Sequence, residues 1–273
     1  MKALLFEQHG NLDRVRFDQM DKPAVKSGLV LVKMRAAALN HLDLFVLEGL
    51  PGLTLEMPHI LGSDGAGTVE DVGEHSSEFS FGDRVMLNPV ISCNQCEFCI
   101  AGEHSMCVEL AIIGEHTKGT FAEYFAVPAA NLEKIPTGVS FEEAAAFSLV
   151  FQTAWRMLIT RGKLQPSDDV LIHGIGGGVS SAALQIAKLC GCRTFVSSGS
   201  QKKLRRAREI GADQCINYKE SKIVPEVLSR TGKRGVDIVV DSVGSETWKQ
   251  SLQLVRKGGK VLTCGATTGP NPE

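Results

Sequence analysis

Val170-Leu171-Ile172-His173-Gly174-Ile175-Gly176-Gly177-Gly178-Val179-Ser180 runs almost directly into the apolar stretch Ala182-Ala183-Leu184-Gln185-Ile186-Ala187-Lys188. The order is a short buried strand, a glycine turn and a helix. Glycines let a backbone approach a ligand, and a helix N-terminus supplies N–H groups and the positive end of its dipole. Together they read as a pyrophosphate cradle at the first turn of a parallel α/β sheet. A plain flexible turn is the alternative, and the flanking strand and helix argue against it. Gly174, Gly176, Gly177, Gly178 and Val179 are therefore candidate cofactor contacts. The spacing is imperfect, because the third glycine of G-x-G-x-x-G, counted from Gly174, falls on Val179.

Further along, strands and helices continue to alternate, as a doubly wound parallel sheet requires. A second strand at 193–197 leads into Ser198-Gly199-Ser200-Gln201-Lys202-Lys203. An acid at this strand end binds the ribose 2′-hydroxyl of NAD. Here the position is Ser198, and no acid appears before Glu209. Without that carboxylate, and with Lys202 and Lys203 close by, a 2′-phosphate is favoured, hence NADPH over NADH. The competing reading is that Lys202, Lys203, Arg205, Arg206 and Arg208 form the solvated face of a helix. Gln214-Cys215-Ile216 is a third strand and brings Asn217-Tyr218 to the same end. A fourth strand at 236–241 places Ser242 and Val243 where the nicotinamide half of a dinucleotide would lie, beyond the carboxyl ends of the strands. Asp241 itself also reads as a capping or turn residue. A helix at 245–254 and a fifth strand at 260–265 follow, and Gly265 and Ala266 complete the cofactor candidates with Ser198 and Ser200.

The first half has a different texture, with short β-like runs punctuated by glycine and proline. Leu29-Val30-Leu31-Val32-Lys33-Met34, the glycine-flanked stretch 65–73, and Gly82-Asp83-Arg84-Val85-Met86 predict a compact, mainly antiparallel β domain. Cys93, Cys96 and Cys99 sit three apart, and Cys107 closes the set. Four thiolates at this spacing satisfy one tetrahedral zinc and leave no open position, so the site reads as structural. The lobe, about 92–108, carries too few apolar residues to hold its own shape, and the metal must hold it. Ser140 with Glu143 predicts a capping box opening a helix, and helical periodicity at 152–161 predicts a link between domains.

Net charge is −2 with 22% charged residues, which gives no electrostatic footprint for nucleic acid or an anionic membrane. No apolar run is long enough to span a bilayer, and Glu7 interrupts the apolar start. The other four cysteines, Cys190, Cys192, Cys215 and Cys264, lie scattered, which predicts reduced thiols and a cytoplasmic setting.

The cysteine lobe, Asn40-His41-Leu42-Asp43, Gly62-Ser63-Asp64-Gly65-Ala66-Gly67, Gly82-Asp83-Arg84-Val85 and the glycine turn together resemble the medium-chain dehydrogenase/reductases, the zinc alcohol dehydrogenases with their quinone- and enoyl-reductase relatives. The resemblance covers essentially the whole chain. It implies a GroES-like, mainly β catalytic domain over 1–147 and a Rossmann domain over 148–273. The latter stops at Pro270-Asn271-Pro272-Glu273, short of the family's last helix, sixth strand and return segment. That strand usually pairs across a homodimer, so its dimer edge would be missing here. The family's Gly-Gly-Val-Gly form places its last glycine on Ser180. In its reductases, lysine at the Lys203 position and tyrosine at the Tyr218 position commonly hold a 2′-phosphate.

The family's alcohol dehydrogenases hold a catalytic zinc through a cysteine, a His-Glu pair after a glycine, and a later cysteine. These positions fall on Asn40, on Ser63-Asp64 and near Leu149; asparagine and serine are poor zinc ligands, and leucine cannot ligate. The resemblance thus implies a reductase of quinones or activated C=C bonds, with NADPH, one structural zinc and a small-molecule substrate. Its catalytic candidates are Asn40, His41, Asp43 and Asp64, in a cleft between the domains. Two alternatives stay open: an alcohol dehydrogenase with a nonstandard zinc site near His41, His59 and Asp64, and an inactive nucleotide-binding protein. Asp43 also reads as a structural carboxylate that orders its loop.

Overall fold

A computed structural model describes residues 1–271, so Pro272 and Glu273, the end of the 148–273 range, lie outside the described residues. The chain divides into two compact units, Met1–Leu149 and Val150 onward.

The first unit is built on a five-stranded antiparallel sheet in the order Leu132–Lys134, Arg84–Leu87, Asp64–Val72, Leu29–Ala38, Tyr124–Pro128. Alternation decides its buried face. Val30 and Val32, Val69, Val85 and Leu87, and Phe125 and Val127 meet in one apolar cluster. The central pair is crowded. A Cβ on Gly67 would collide with the carbonyl of Lys33, and the register shifts beside it between Met34 and Ala36. A smaller sheet of Arg16–Gln19, Lys2–Phe6 and His59–Ile60 flanks it. The cysteine lobe leaves this framework through the two-stranded ribbon Val90–Ile91 and Ala111–Ile112. The capping box forms as the sequence predicts: Ser140 Oγ accepts from Glu143 N at 3.1 Å, and Glu143 Oε2 from Ser140 N at 2.9 Å.

The second unit is a five-stranded parallel sheet in the order Gln214–Asn217, Arg193–Ser198, Asp169–Ile172, Val236–Asp241, Val255–Thr263. The central strands Asp169–Ile172 and Val236–Asp241 are buried along their whole length because both faces are covered. Val170, Ile172, Val196, Ile238 and Val240 pack with Ala183, Ala187 and Leu204 on one side. Leu171, Phe195, Ile216 and Val239 pack with Ile223, Val227 and Leu254 on the other. Strand order reverses at Asp169–Ile172, the kind of switch point where such sheets bind ligands.

Several boundaries differ from the sequence reading. The helix expected from 245 begins at Trp248, because the chain before it is committed to capping Asp241. The last strand spans Val255–Thr263 rather than 260–265, with a register shift opposite Val236–Ile238. The periodic stretch near 152–161 is an α-helix, Ser148–Trp155, that widens into a π-turn over Arg156–Arg161, with Gly162 N bonded to Met157 O at 2.6 Å.

Candidate functional site

The glycine turn leaves the end of Asp169–Ile172 and enters the helix Gly178–Leu189. Gly174 and Gly176 take φ of 65° and 101°, where a side chain would be strained. Ser180, at the place of the family's last glycine, is buried. Its Oγ accepts from Gly177 N at 3.2 Å and lies 3.0 and 3.1 Å from the carbonyls of Gly174 and Gly177. The serine therefore closes the turn with hydrogen bonds, whereas glycine would close it by size alone. The N–H groups of a helix's first turn have no carbonyl one turn back to bond, which is the general basis of anion binding at a helix N-terminus.

The neighbouring strand ends assemble around this turn. Lys203 runs across Gly176, its Cδ 2.6 Å from where a Cβ there would stand. The Tyr218 ring covers Gly199 in the same way, with its hydroxyl oxygen 2.9 Å from that point. Ser198 is buried, and its Oγ accepts from Ser200 N at 3.3 Å. Ser200 in turn caps the helix Gln201–Glu209, which carries Lys203. Glu220 also lies at this end, where sequence reading assigned nothing. Its carboxylate is taken up by the side-chain amides of Asn217 at 2.6 Å and Gln201 at 2.9 Å.

On the other side of the turn, Val243 Cγ2 lies 3.1 Å from the Cβ position of Gly174. The segment 242–244 is tied to the one after the last strand: Thr267 N donates to Ser242 O at 3.3 Å and Thr268 N to Val243 O at 2.8 Å. Gly265 and Ala266 thus adjoin Ser242 and Val243. Beneath them is Asp241, fully buried. Burial would raise its pKa, but donors from Ser251, Gly244 N and Thr247 hold it below the usual carboxylate range. Sequence reasoning missed His173. It is fully buried between strand and turn, its Nδ1 3.1 Å from Ser197 Oγ, while Nε2 has no partner among the described residues. Burial pushes its pKa down to about 4 against the pull of Asp241, so it is neutral at ordinary pH. The only sequence signal was one polar residue ending an apolar strand.

In the first unit, Asn40 and Asp64, from the positions aligned with zinc ligands, and Leu149, near the third, come together through hydrogen bonds. Asn40 Nδ2 donates to Asp64 Oδ2 at 2.9 Å, and Leu149 N donates to Asp64 Oδ1 at 2.9 Å. Leu149 lies in the first turn of Ser148–Trp155, so Asp64 caps that helix. Asp64 is 1% exposed and Asp43 6%. Burial pushes both carboxyls up to about 6, against the hydrogen bonds each accepts. Asp43 accepts from Asn40 N at 2.7 Å and also from Gly62 N, which orders the entry to the helix His41–Glu48. Ser63 Oγ is buried without a partner among the described residues.

The histidines are placed elsewhere. His41 is exposed and its ring lies 6.2 Å from that of Phe45. His59 is buried beside Phe6 and its Nε2 is 3.0 Å from Gly114 O. The cysteine set is the only close group of three or more metal-capable residues among the described ones, so His41, His59 and Asp64 do not form such a set.

Cys93, Cys96, Cys99 and Cys107 bring their sulfurs within 4.8 Å of one another. Cys93 Sγ is 3.5 Å from Cys107 Sγ and 4.0 Å from Cys99 Sγ. Sulfurs at ~2.3 Å around a tetrahedral zinc stand ~3.8 Å apart, so the set fits that ion. Backbone N–H groups of Cys93 and Glu109 point at Cys107 Sγ at 3.2 and 3.3 Å, and that of Cys96 at Cys93 Sγ at 3.4 Å. Such donors favour thiolates, and the set has no place left for a substrate.

Residues 26–137 match the family model for the alcohol dehydrogenase GroES-like domain, and 178–273 that for zinc-binding dehydrogenase. The chain is 33% identical to a zinc-type alcohol dehydrogenase-like protein of Schizosaccharomyces pombe, over 100% of this chain and 78% of that one. It is 34% identical to an acryloyl-coenzyme A reductase of Metallosphaera sedula, over 97% and 76% respectively. A solved NAD-dependent alcohol dehydrogenase superposes with a TM-score of 0.92 at 42% identity, covering 99% of this chain and 79% of that one.

Proposed function

This chain belongs to the medium-chain dehydrogenase/reductase superfamily, and we propose that it is an NADPH-dependent reductase of activated C=C bonds or quinones, with one structural zinc and no catalytic one. It is an NAD(P)-dependent oxidoreductase; the substrate class, the choice of NADPH and the metal count are the proposal. The observation that carries it is the Asn40–Asp64–Leu149 hydrogen-bonded set, in which Asn40 and Asp64 stand at aligned ligand positions and Leu149 near the third. Oxidising an alcohol calls for a Lewis acid on the alkoxide, and this set offers an amide, a carboxylate and a peptide N–H. Reducing a C=C next to a carbonyl calls instead for a donor toward the oxygen that gains charge, and an amide N–H can serve.

NADPH, when bound, supplies the hydride. The turn at 174–180 and the first turn of Gly178–Leu189 receive its pyrophosphate. Lys203 and Tyr218 receive the 2′-phosphate, a role supported by their position over Gly176 and Gly199 and by Ser198 in place of an acid. Asn40 would donate to the substrate oxygen as the carbon farther from the carbonyl takes the hydride and the C=C pair shifts toward that oxygen; as the pair returns, the carbon next to the carbonyl takes a proton from water. Cys93, Cys96, Cys99 and Cys107 hold the structural zinc. The likeness to an alcohol dehydrogenase structure keeps alcohol oxidation as the second reading.

One sample decides between them. Zinc is counted, NADPH and NADH are titrated, and cofactor oxidation is followed with enones, quinones and enoyl thioesters. The expected result is one zinc per chain, tighter binding of NADPH, and turnover on at least one acceptor class. Two zincs with alcohol oxidation would overturn the zinc-free reading. An NADH affinity equal to or above that for NADPH would overturn the cofactor choice.

A further inference from the structure

We propose that Asp64 is a positioning residue, which fixes which way the Asn40 side-chain amide faces and so where its donor N–H is presented. The inference rests on the proposed role of Asn40 and adds to it the device that makes that role specific. A side-chain amide is nearly symmetric in shape, with a donor at one end and an acceptor at the other. Left alone, Asn40 can turn over at little cost. An ionised carboxylate only accepts, so Asp64 Oδ2, 2.9 Å from Nδ2, admits the NH2 end and rejects the carbonyl end. That commits one N–H to Asp64 and leaves the second N–H of the same group in a fixed place.

Asp64 is itself held from the other side. Its Oδ1 takes the Leu149 N–H at 2.9 Å, and its backbone carbonyl accepts from Thr120 Oγ1 at 2.7 Å. The side chain is thus pinned at both carboxylate oxygens and the main chain below it. Its negative charge would oppose an oxyanion nearby, but the carboxylate faces the first turn of Ser148–Trp155, where peptide dipoles offset it. Asp43 is the other charged group acting on it. Asp43 serves Asn40's backbone N–H rather than its amide, at 2.7 Å, so the two acids act on different ends of one residue.

A double-mutant cycle on the full-length holoenzyme tests the idea, with kcat, KM and thermal stability read on each variant. Asp64→Asn offers one acceptor and one donor. When the acceptor takes Leu149 N–H, the donor faces Asn40 and turns its amide over, moving the presented N–H. Loss of one oriented oxyanion donor costs about 100-fold in kcat, so Asn40→Ala is expected near that value. Asp64→Asn is expected to lose at least about 10-fold in kcat with KM little changed. Asp64→Asn in the Asn40→Ala background is expected to lose nothing more. Additive losses in the double variant would overturn the proposal, because Asp64 would then act by another route. Retained activity in Asn40→Ala would instead sink the underlying role of Asn40, and the two failures are thereby distinct.

A measurement on the unmutated protein covers the case in which Asp64→Asn fails to fold. The Asn40 side-chain amide protons, assigned by their loss in Asn40→Asp, should give one sharp pair that shifts as Asp64 titrates. A pair that does not move between pH 4 and 8, or that exchanges freely with solvent, would overturn the proposal.

Discussion

Three buried titratable residues bend the stability of this protein with pH, and they do so in opposite directions. Asp43 and Asp64 have carboxyls pushed up from 3.8 to about 6 by burial. The folded state then holds protons that the unfolded chain has released. The stability these two contribute is complete below about pH 4 and is lost as pH rises toward about 6. His173 is pushed down from 6.5 to about 4. Its contribution is complete above the unfolded value and is lost as pH falls from about 6.5 toward 4. Over that shared window the signs oppose, so His173 offsets only part of what the two acids contribute. Asp64→Asn removes one falling limb: denaturant unfolding should find its stability, relative to wild type, rising by about 2–3 kcal/mol between pH 4 and 7. His173→Asn should show the reverse trend, losing its relative disadvantage as the solution is acidified. Parallel profiles for wild type and Asp64→Asn would mean that Asp64 titrates in the fold as it does in the unfolded chain. None of the three shifts was legible from spacing, since each arises from burial that only the packed chain creates. Asn40 and Asp64 were legible as chemistry. Their hydrogen bond to each other and to Leu149, 85 positions away along the chain, was not.

The glycine turn shows what an element reveals before its structure is known. Strand, turn and helix were readable because each signal is local: an unbroken apolar run, glycines, then helical periodicity. Ser180 was readable, through the family resemblance, as standing where a last glycine would. Its hydroxyl, which accepts from Gly177 N and reaches the carbonyls of Gly174 and Gly177, was not, because side-chain rotation carries no sequence signature. The same limit applies to the late start of the helix at Trp248, where Asp241 draws in Thr247 and Ser251 across a turn of chain. The staple gives a prediction at this scale. Ser180→Ala keeps the size but removes the hydroxyl, and a hydrogen bond of this kind contributes about 1 kcal/mol. NADPH affinity, read by fluorescence titration, should weaken about 5-fold. Ser180→Gly, though it restores the family's glycine, should weaken binding at least as much, because it also frees the backbone of the turn. Unchanged affinity in both variants would show that the turn is held by its flanking strand and helix alone.

The whole molecule is two units with separate cores, and the zinc lobe belongs to only one of them. In the sequence the texture changes from about residue 137, and the lobe shows as four cysteines. The arrangement of the sheets follows from which residues face inward on strands distant in sequence, and a family resemblance carried that part further than periodicity did. The lobe's dependence on metal can be argued from its surface. Ile100 is 78% exposed and Val108 69%, while Cys99 and Cys107 are buried. Ordinarily the apolar side chains would be inside and the sulfurs incidental. Here the sulfurs form the interior, so zinc stands in for a hydrophobic core. Removing it with a chelator at neutral pH should leave four cysteine sulfurs within 4.8 Å of one another with no ion to bridge them. The lobe should then open while the second unit keeps its fold. Amide hydrogen exchange checks this: protection should vanish across 93–107 and weaken at the ribbon Val90–Ile91 and Ala111–Ile112, and it should be retained in the parallel sheet. Cys107→Ser should reproduce the pattern without a chelator. NADPH binding should survive both treatments, because no residue proposed to contact the cofactor lies in the unit that holds the cysteines. If metal removal instead abolished NADPH binding while leaving 93–107 protected, the metal would be working in the reaction and its structural role would be wrong.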